Sequence, residues 1–226
     1  MSFLVVANFK SNLTKEQVQS WLAAVKPMPG MVVAPSFPHL PLFSNLPAQA
    51  GLETRISLAA QDVSPFPPGS YTGAINAVQL KELGVAYCIV GHSERRRYFH
   101  ETSNDVAAKV HMLLEQSITP IICIEEADIT TQFAALESED CARCIFCFEP
   151  SASIGGTLAA SSVEINRVKN KIVEMAPTAR FMYGGSVNSD DVEALLSLGL
   201  SGLLVASASL DSSSYLNIVE KATHGA

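Results

Sequence analysis

Val90-Gly91-His92-Ser93-Glu94-Arg95-Arg96 marks an abrupt change of chemistry along the chain. The apolar run Tyr87-Cys88-Ile89-Val90 stops at a glycine, and six polar or charged residues, His92 to Arg97, follow it. A buried strand that ends in a dense set of acid, base and cation has the profile of an active-site rim in a strand–helix protein.

Working outward, the same alternation fills the chain. Apolar runs at 3–7, 31–34, 56–60, 87–90, 121–124, 145–148, 180–183 and 203–205 read as strands. They are continuous rather than alternating, as expected for strands covered on both faces. Helical spacing lies between them. Thr14-x-x-Gln17, Thr102-x-x-Asp105 and Ser161-x-x-Glu164 have the form of helix-capping sequences. The spacing predicts further helices at about 74–83, 130–136 and 215–222, one after Ser189, and a short one within the Pro-rich stretch 35–50. Eight strand–helix units in 226 residues, about 28 per unit, fit a single-domain (β/α)8 barrel over residues 1–226. Periodicity alone leaves an open doubly wound sheet available. No domain boundary, repeat or low-complexity tract is visible.

Bulk composition narrows the function. Apolar residues make up 48% of the chain, enough for a large core. The net charge is −7 and no basic stripe is present, which speaks against a nucleic-acid partner. Small anions remain possible ligands, because a phosphate needs only local donors. No apolar run approaches the roughly 20 residues of a membrane helix, and the first is too short and wrongly flanked for a signal peptide. A cytoplasmic protein with no membrane partner is expected, and five cysteines, an odd number, fit a reducing compartment. Cys141, Cys144 and Cys147 repeat every three residues, but 144 and 147 would diverge on a strand and no fourth ligand follows closely, so no metal is expected.

In a barrel, side chains just past the strand ends converge on one mouth. Asn8 and Lys10, His92 and Glu94, Glu149, and Ser186 occupy such positions. Glu149 follows an apolar wall, which would strip water from it and strengthen it as a base; a surface glutamate is the plain alternative. His92 follows a glycine at a helix start, where backbone N–H groups would lower its pKa and keep it neutral. His39, His100, His111 and His224 lack such a setting. Lys10 brings positive charge to the mouth. Gly184-Gly185-Ser186 offers unhindered backbone donors and a hydroxyl for an anion.

Four stretches carry a family resemblance: Ala7-Asn8-Phe9-Lys10, Gly91-His92-Ser93-Glu94-Arg95-Arg96, Phe148-Glu149-Pro150 with Ile154-Gly155, and Tyr183-Gly184-Gly185-Ser186-Val187. In this order they resemble triosephosphate isomerase, from Phe3 to about Leu210. The resemblance decides for the barrel, a single-domain (β/α)8 TIM barrel. It implies a cofactor-free enzyme acting on a small phosphorylated triose, interconverting dihydroxyacetone phosphate and glyceraldehyde 3-phosphate in glycolysis. Glu149 would move the proton, His92 polarise the carbonyl, and Lys10, positioned by Asn8, stabilise the enediolate. Glu94 would steady Lys10, the plain alternative being a surface partner for Arg95 or Arg96; Cys123 and Glu126 would play supporting parts. Gly184, Gly185, Ser186, Ala206, Ser207 and Gly155 would surround the phosphate. Residues 150–160 would form a lid held closed by Tyr183 and Ser186. The family is usually a homodimer whose third loop, here 61–73 with Thr72 near its tip, reaches the neighbour's site.

The chain also departs from that family. The family's lid reads E-P-V-W-A-I-G-T-G, whereas this one has Ser151 and Ala152 where the Val-Trp pair stands. V-G-G-A-S-L after strand eight is replaced by Val205-Ala206-Ser207-Ala208-Ser209-Leu210. Asp62 stands where asparagine is usual, C-I-E-E replaces C-I-G-E, and the connection between strands five and six is shorter. These changes keep a second reading open, an activity-impaired barrel that binds small phosphates or proteins.

Overall fold

A computed structural model of the protein describes residues 3–44, 56–150 and 160–224. Eight parallel strands close on themselves in sequence order. They are β1 (Leu4–Asn8), β2 (Met31–Ala34), β3 (Ser57–Ala60), β4 (Val85–Val90), β5 (Thr119–Ile124), β6 (Ile145–Phe148), β7 (Arg180–Tyr183) and β8 (Gly202–Val205). The closure pairs Leu4 with Gly202 through Ala7 with Val205. Open sheet topology is thereby excluded.

The described helices wrap the outside: α1 (Lys15–Ala24), α2 (Leu40–Ser44), α3 (Ala77–Glu82), α4 (Ser93–Phe99), α5 (Ser103–Glu115), α6 (Ile129–Ala135), α7 (Ser138–Cys141), α8 (Ser162–Met175), α9 (Val192–Leu196) and α10 (Ser212–His224). Reciprocal capping boxes start α1 at Thr14 and α5 at Thr102, and the Ser161 hydroxyl caps α8. The helix expected from about residue 74 starts at Ala77 instead. Asn76 and Gln79 form a third reciprocal box there, and a capping residue has non-helical backbone. α9 is preceded by Asp191 rather than Ser189.

Two apolar layers result from the strand pleat. Leu4, Val6, Val32, Ala34, Ala59, Ile89, Ile121, Cys123, Ile145, Cys147, Met182 and Leu204 fill the barrel. The alternate residues, with Cys141 and Cys144, pack under the helices. Cys144 and Cys147 therefore face opposite layers, as the strand period requires. No helix among the described residues is long and apolar enough to cross a membrane.

Candidate active site

The pleat aims most of the mouth. Inward parity runs from Leu4 and Val6 to Asn8, from Ala59 to Gln61, and from Ile145 and Cys147 to Glu149. The same step leads from Met182 to Gly184 and from Leu204 to Ala206.

Glu149 is 3% exposed, so it enters the mouth almost without water. Its backbone N–H donates to Ile124 at 3.1 Å, extending the β5–β6 ladder by one residue. Its Oε1 lies 3.2 Å from His92 Nε2, and its Oε2 accepts a long bond from the Ser93 N–H at 3.4 Å. His92 caps α4. Its Nδ1 accepts from the Glu94 N–H at 3.2 Å, which puts the proton of a neutral ring on Nε2, facing Glu149. Burial opposes protonation of His92, but the Glu149 carboxylate, with Glu94 behind it, outweighs burial and raises its pKa. The helix N-terminus was expected to lower it. With Glu149 turned onto the ring, the full charge at hydrogen-bond distance exceeds the partial charge of the helix end.

Lys10 has left-handed backbone, φ 50°, a conformation that costs a lysine roughly 1–2 kcal/mol. Asn8 Oδ1 accepts its N–H at 3.1 Å, and Gln61 Nε2 donates to its carbonyl at 2.9 Å and to Ala34 at 2.8 Å. Its ammonium donates to Glu94 at 2.8 Å. Glu94 is thus the partner of Lys10. Arg95 pairs with Asp62 and Glu101, and Arg96 donates to Gly91 and Gln132.

Across the mouth, Gly184 and Gly185 follow β7. A Cβ on Gly184 would come 2.7 Å from Cys147 Sγ and 3.1 Å from Glu149 Cγ; on Gly185 it would collide with the Tyr183 phenol. Both positions therefore need glycine for packing. Ser186 is half-buried beside them. Ala206 and exposed Ser207 begin a turn of 3-10 helix, Ser207–Ser209, tied down where Trp21 Nε1 donates to the Ser209 carbonyl at 2.9 Å. Tyr183 Oη accepts the Ala160 N–H at 2.7 Å. Gly155 and the rest of 151–159, including Ser151 and Ala152, lie outside the described residues.

Cys123 is buried in the barrel beside Cys147, which lies two residues before Glu149. Glu126 joins Arg167 and Lys171 of α8. Thr72 is exposed on its loop. Asp62 pairs with Lys109 at 2.6 Å and Arg95 at 2.8 Å, so the departure at this position joins an ion cluster instead of opening a gap. Gln61, Ser93, Arg96, Glu101 and Gln132 were not singled out as site residues in the sequence. Ser93 and Arg96 stood in a recognisable motif; Gln61, Glu101 and Gln132 are polar residues whose partners are fixed by the fold.

Comparison with known proteins agrees with this fold. The family model described as triosephosphate isomerase matches residues 3–222. A triosephosphate isomerase from Thermus thermophilus is 33% identical, covering 96% of this chain and 97% of its own length. One from the Wolbachia of Brugia malayi is also 33% identical, with 98% of each chain covered. The crystal structure of triosephosphate isomerase from Bartonella henselae superposes with a TM-score of 0.83 at 26% identity, over 98% of this chain and 99% of that one. With the barrel closed and both long-range and local matches spanning nearly its whole length, the chain belongs to the triosephosphate isomerase family.

Proposed function

We propose that the protein interconverts dihydroxyacetone phosphate and D-glyceraldehyde 3-phosphate through an enediol(ate), as a cofactor-free isomerase of glycolysis and gluconeogenesis in the cytoplasm. The observation that carries this is the approach of the Glu149 carboxylate to His92 Nε2 at 3.2 Å, in a mouth that also holds Lys10 through Glu94. Glu149 takes the proton next to the carbonyl and returns it to the neighbouring carbon. It must first leave the imidazole, which frees Nε2–H to donate to the substrate oxygen. Once that carboxylate has moved, burial favours the neutral ring. Lys10 supplies fixed positive charge to the developing enediolate, and its strained backbone is a cost accepted where position matters. Asn8, Gly184, Gly185, Ser186, Ala206 and Ser207 receive the substrate and its phosphate, with Gly155 added by the lid.

A homodimer through the loop 61–73 belongs to the same reading. Phe66 and Tyr71, 48% and 43% exposed, stack there at 4.6 Å. Arg95 leads from that loop to Phe99, 66% exposed, under its guanidinium at 4.6 Å. Such a contiguous exposed aromatic patch suits burial against a second copy.

Ala206 and Ser207, which carry side chains where the phosphate would sit, favour the second reading of an impaired phosphate-binding barrel. The isomerisation rate of glyceraldehyde 3-phosphate, beside Glu149→Gln, separates the two. An active enzyme loses about 10²–10⁴-fold when its base is removed. Equal rates in two folded samples, with phosphoglycolate still bound, would establish the impaired barrel.

A further inference from the structure

Among the residues of the mouth, His92 is aimed by a different device. The β4 pleat sends Tyr87 and Ile89 inward, so its next inward position is Gly91, not His92. Gly91 breaks the alternation with left-handed backbone, φ 68°. A Cβ there would come 2.8 Å from the Arg96 guanidinium and 3.1 Å from the Cys123 carbonyl. The direction of the imidazole therefore depends on how the Gly91 backbone is held.

We propose that Glu101 and Arg96 are positioning residues for His92, acting through the two polar groups of Gly91. Glu101 Oε1 accepts the Gly91 N–H at 2.9 Å, and Arg96 Nε donates to the Gly91 carbonyl at 2.9 Å. Each clamp arm is anchored away from the mouth. Glu101 Oε2 accepts from Arg95 Nε at 2.7 Å and Lys109 Nζ at 2.8 Å, and Asp62 closes that set. Arg96 donates to the fully buried Gln132 at 2.7 Å, and Gln132 donates to the Ser103 carbonyl at 3.1 Å. Burial would push the Glu101 pKa up, but Lys109, Arg95 and the Gly91 N–H hold it below the ordinary value, so its grip on Gly91 is that of an anion. A rotated Gly91 would carry the His92 ring off the Glu94 N–H that sets its tautomer. Displacements of about 1 Å in a catalytic group cost on the order of 10²-fold.

The inference rests on the proposed role of His92, and its test has a readout that needs no turnover. Gln132→Leu and Glu101→Gln are compared with the unaltered protein by kcat, KM and ring ¹⁵N signals of His92. Expected are a kcat about tenfold lower, KM within about twofold, and ¹⁵N signals moved from the Nε2–H form toward a tautomer mixture. If Glu101→Gln does not fold, Gln132→Leu, on the far side of Arg96, decides. A folded Gln132→Leu with unaltered kcat or unaltered ring signals overturns the clamp. Absence of isomerisation in the unaltered protein, with ring signals that still respond to Gln132→Leu, removes the proposed reaction and leaves the clamp standing.

Discussion

The two halves of the mouth are built by different means. On the β1, β4 and β6 side, Lys10, His92 and Glu149 are fixed by side-chain hydrogen bonds and ion pairs, of which the His92–Glu149 contact is buried. On the β7 and β8 side, the structure depends on missing side chains: Gly184 and Gly185 have no room for a Cβ. The first half keeps Lys10, His92 and Glu149, which the family resemblance calls for. The second carries Ala206 and Ser207 after β8, where that resemblance has glycines. Charge and proton transfer depend on position to within a fraction of an ångström, whereas a phosphate is held by several weak donors that can share a small displacement.

The sharpest test of this contrast is Lys10→Met. It should lower kcat/KM about 10²–10³-fold, the usual cost of removing one electrostatic stabiliser. Steady-state kinetics would check it, and a loss as small as that from phosphate-side changes would erase the difference between the halves. Gly185→Ala should act on stability instead. Its Cβ would displace the Tyr183 phenol from Ala160 and cost about 1–3 kcal/mol in a denaturant titration. Combining Ala206→Gly with Ser207→Gly should lower KM severalfold, about 1 kcal/mol, with kcat little changed, because glycine lets backbone N–H groups approach phosphate. A fall in kcat instead would mean that this turn also positions the reacting carbons.

The remaining effects are smaller. His92 has a raised pKa in the folded protein. Its contribution to stability is therefore present below the ordinary histidine value near 6.5 and is lost as pH rises through the folded value. Glu149→Gln removes the largest raising influence, so NMR titration should find the His92 pKa lower in that variant. An unchanged value would mean that Glu149 does not rest against the ring in solution. His100, exposed and left-handed at φ 55° after α4, should gain about 0.5 kcal/mol of stability on replacement by glycine, with unaltered kinetics.

Much of the fold was legible locally. Continuous apolar runs located all eight strands, and β2, β6 and β7 match them residue for residue. β4 and β5 start two residues earlier than expected, at Val85 and Thr119, because Val85 pairs with Leu58 and Thr119 with Tyr87 in the ladder. Asn76-x-x-Gln79 was a readable capping signal that corrects the start of α3. Of the site, Lys10, His92 and Glu149 were legible because each sits in a short motif at a strand end. The His92 pKa was not, since its shift comes from a carboxylate 57 residues away in the chain, at 3.2 Å.

By itself, the sequence determined the strand–helix alternation, the capping of the main helices and the chemical character of the mouth. These are set by residues within a few positions of one another, where propensity, pleat and hydrogen bonding act over one turn or one strand. Only the tertiary structure decided that the sheet closes and that Glu94 serves Lys10 instead of its neighbouring arginines. It likewise decided that Gly91 is gripped by Glu101 and Arg96, and that Asp62 enters an ion cluster with Lys109. Those outcomes depend on barrel closure, which brings residues from different strands within bonding distance and excludes the water that would otherwise satisfy them.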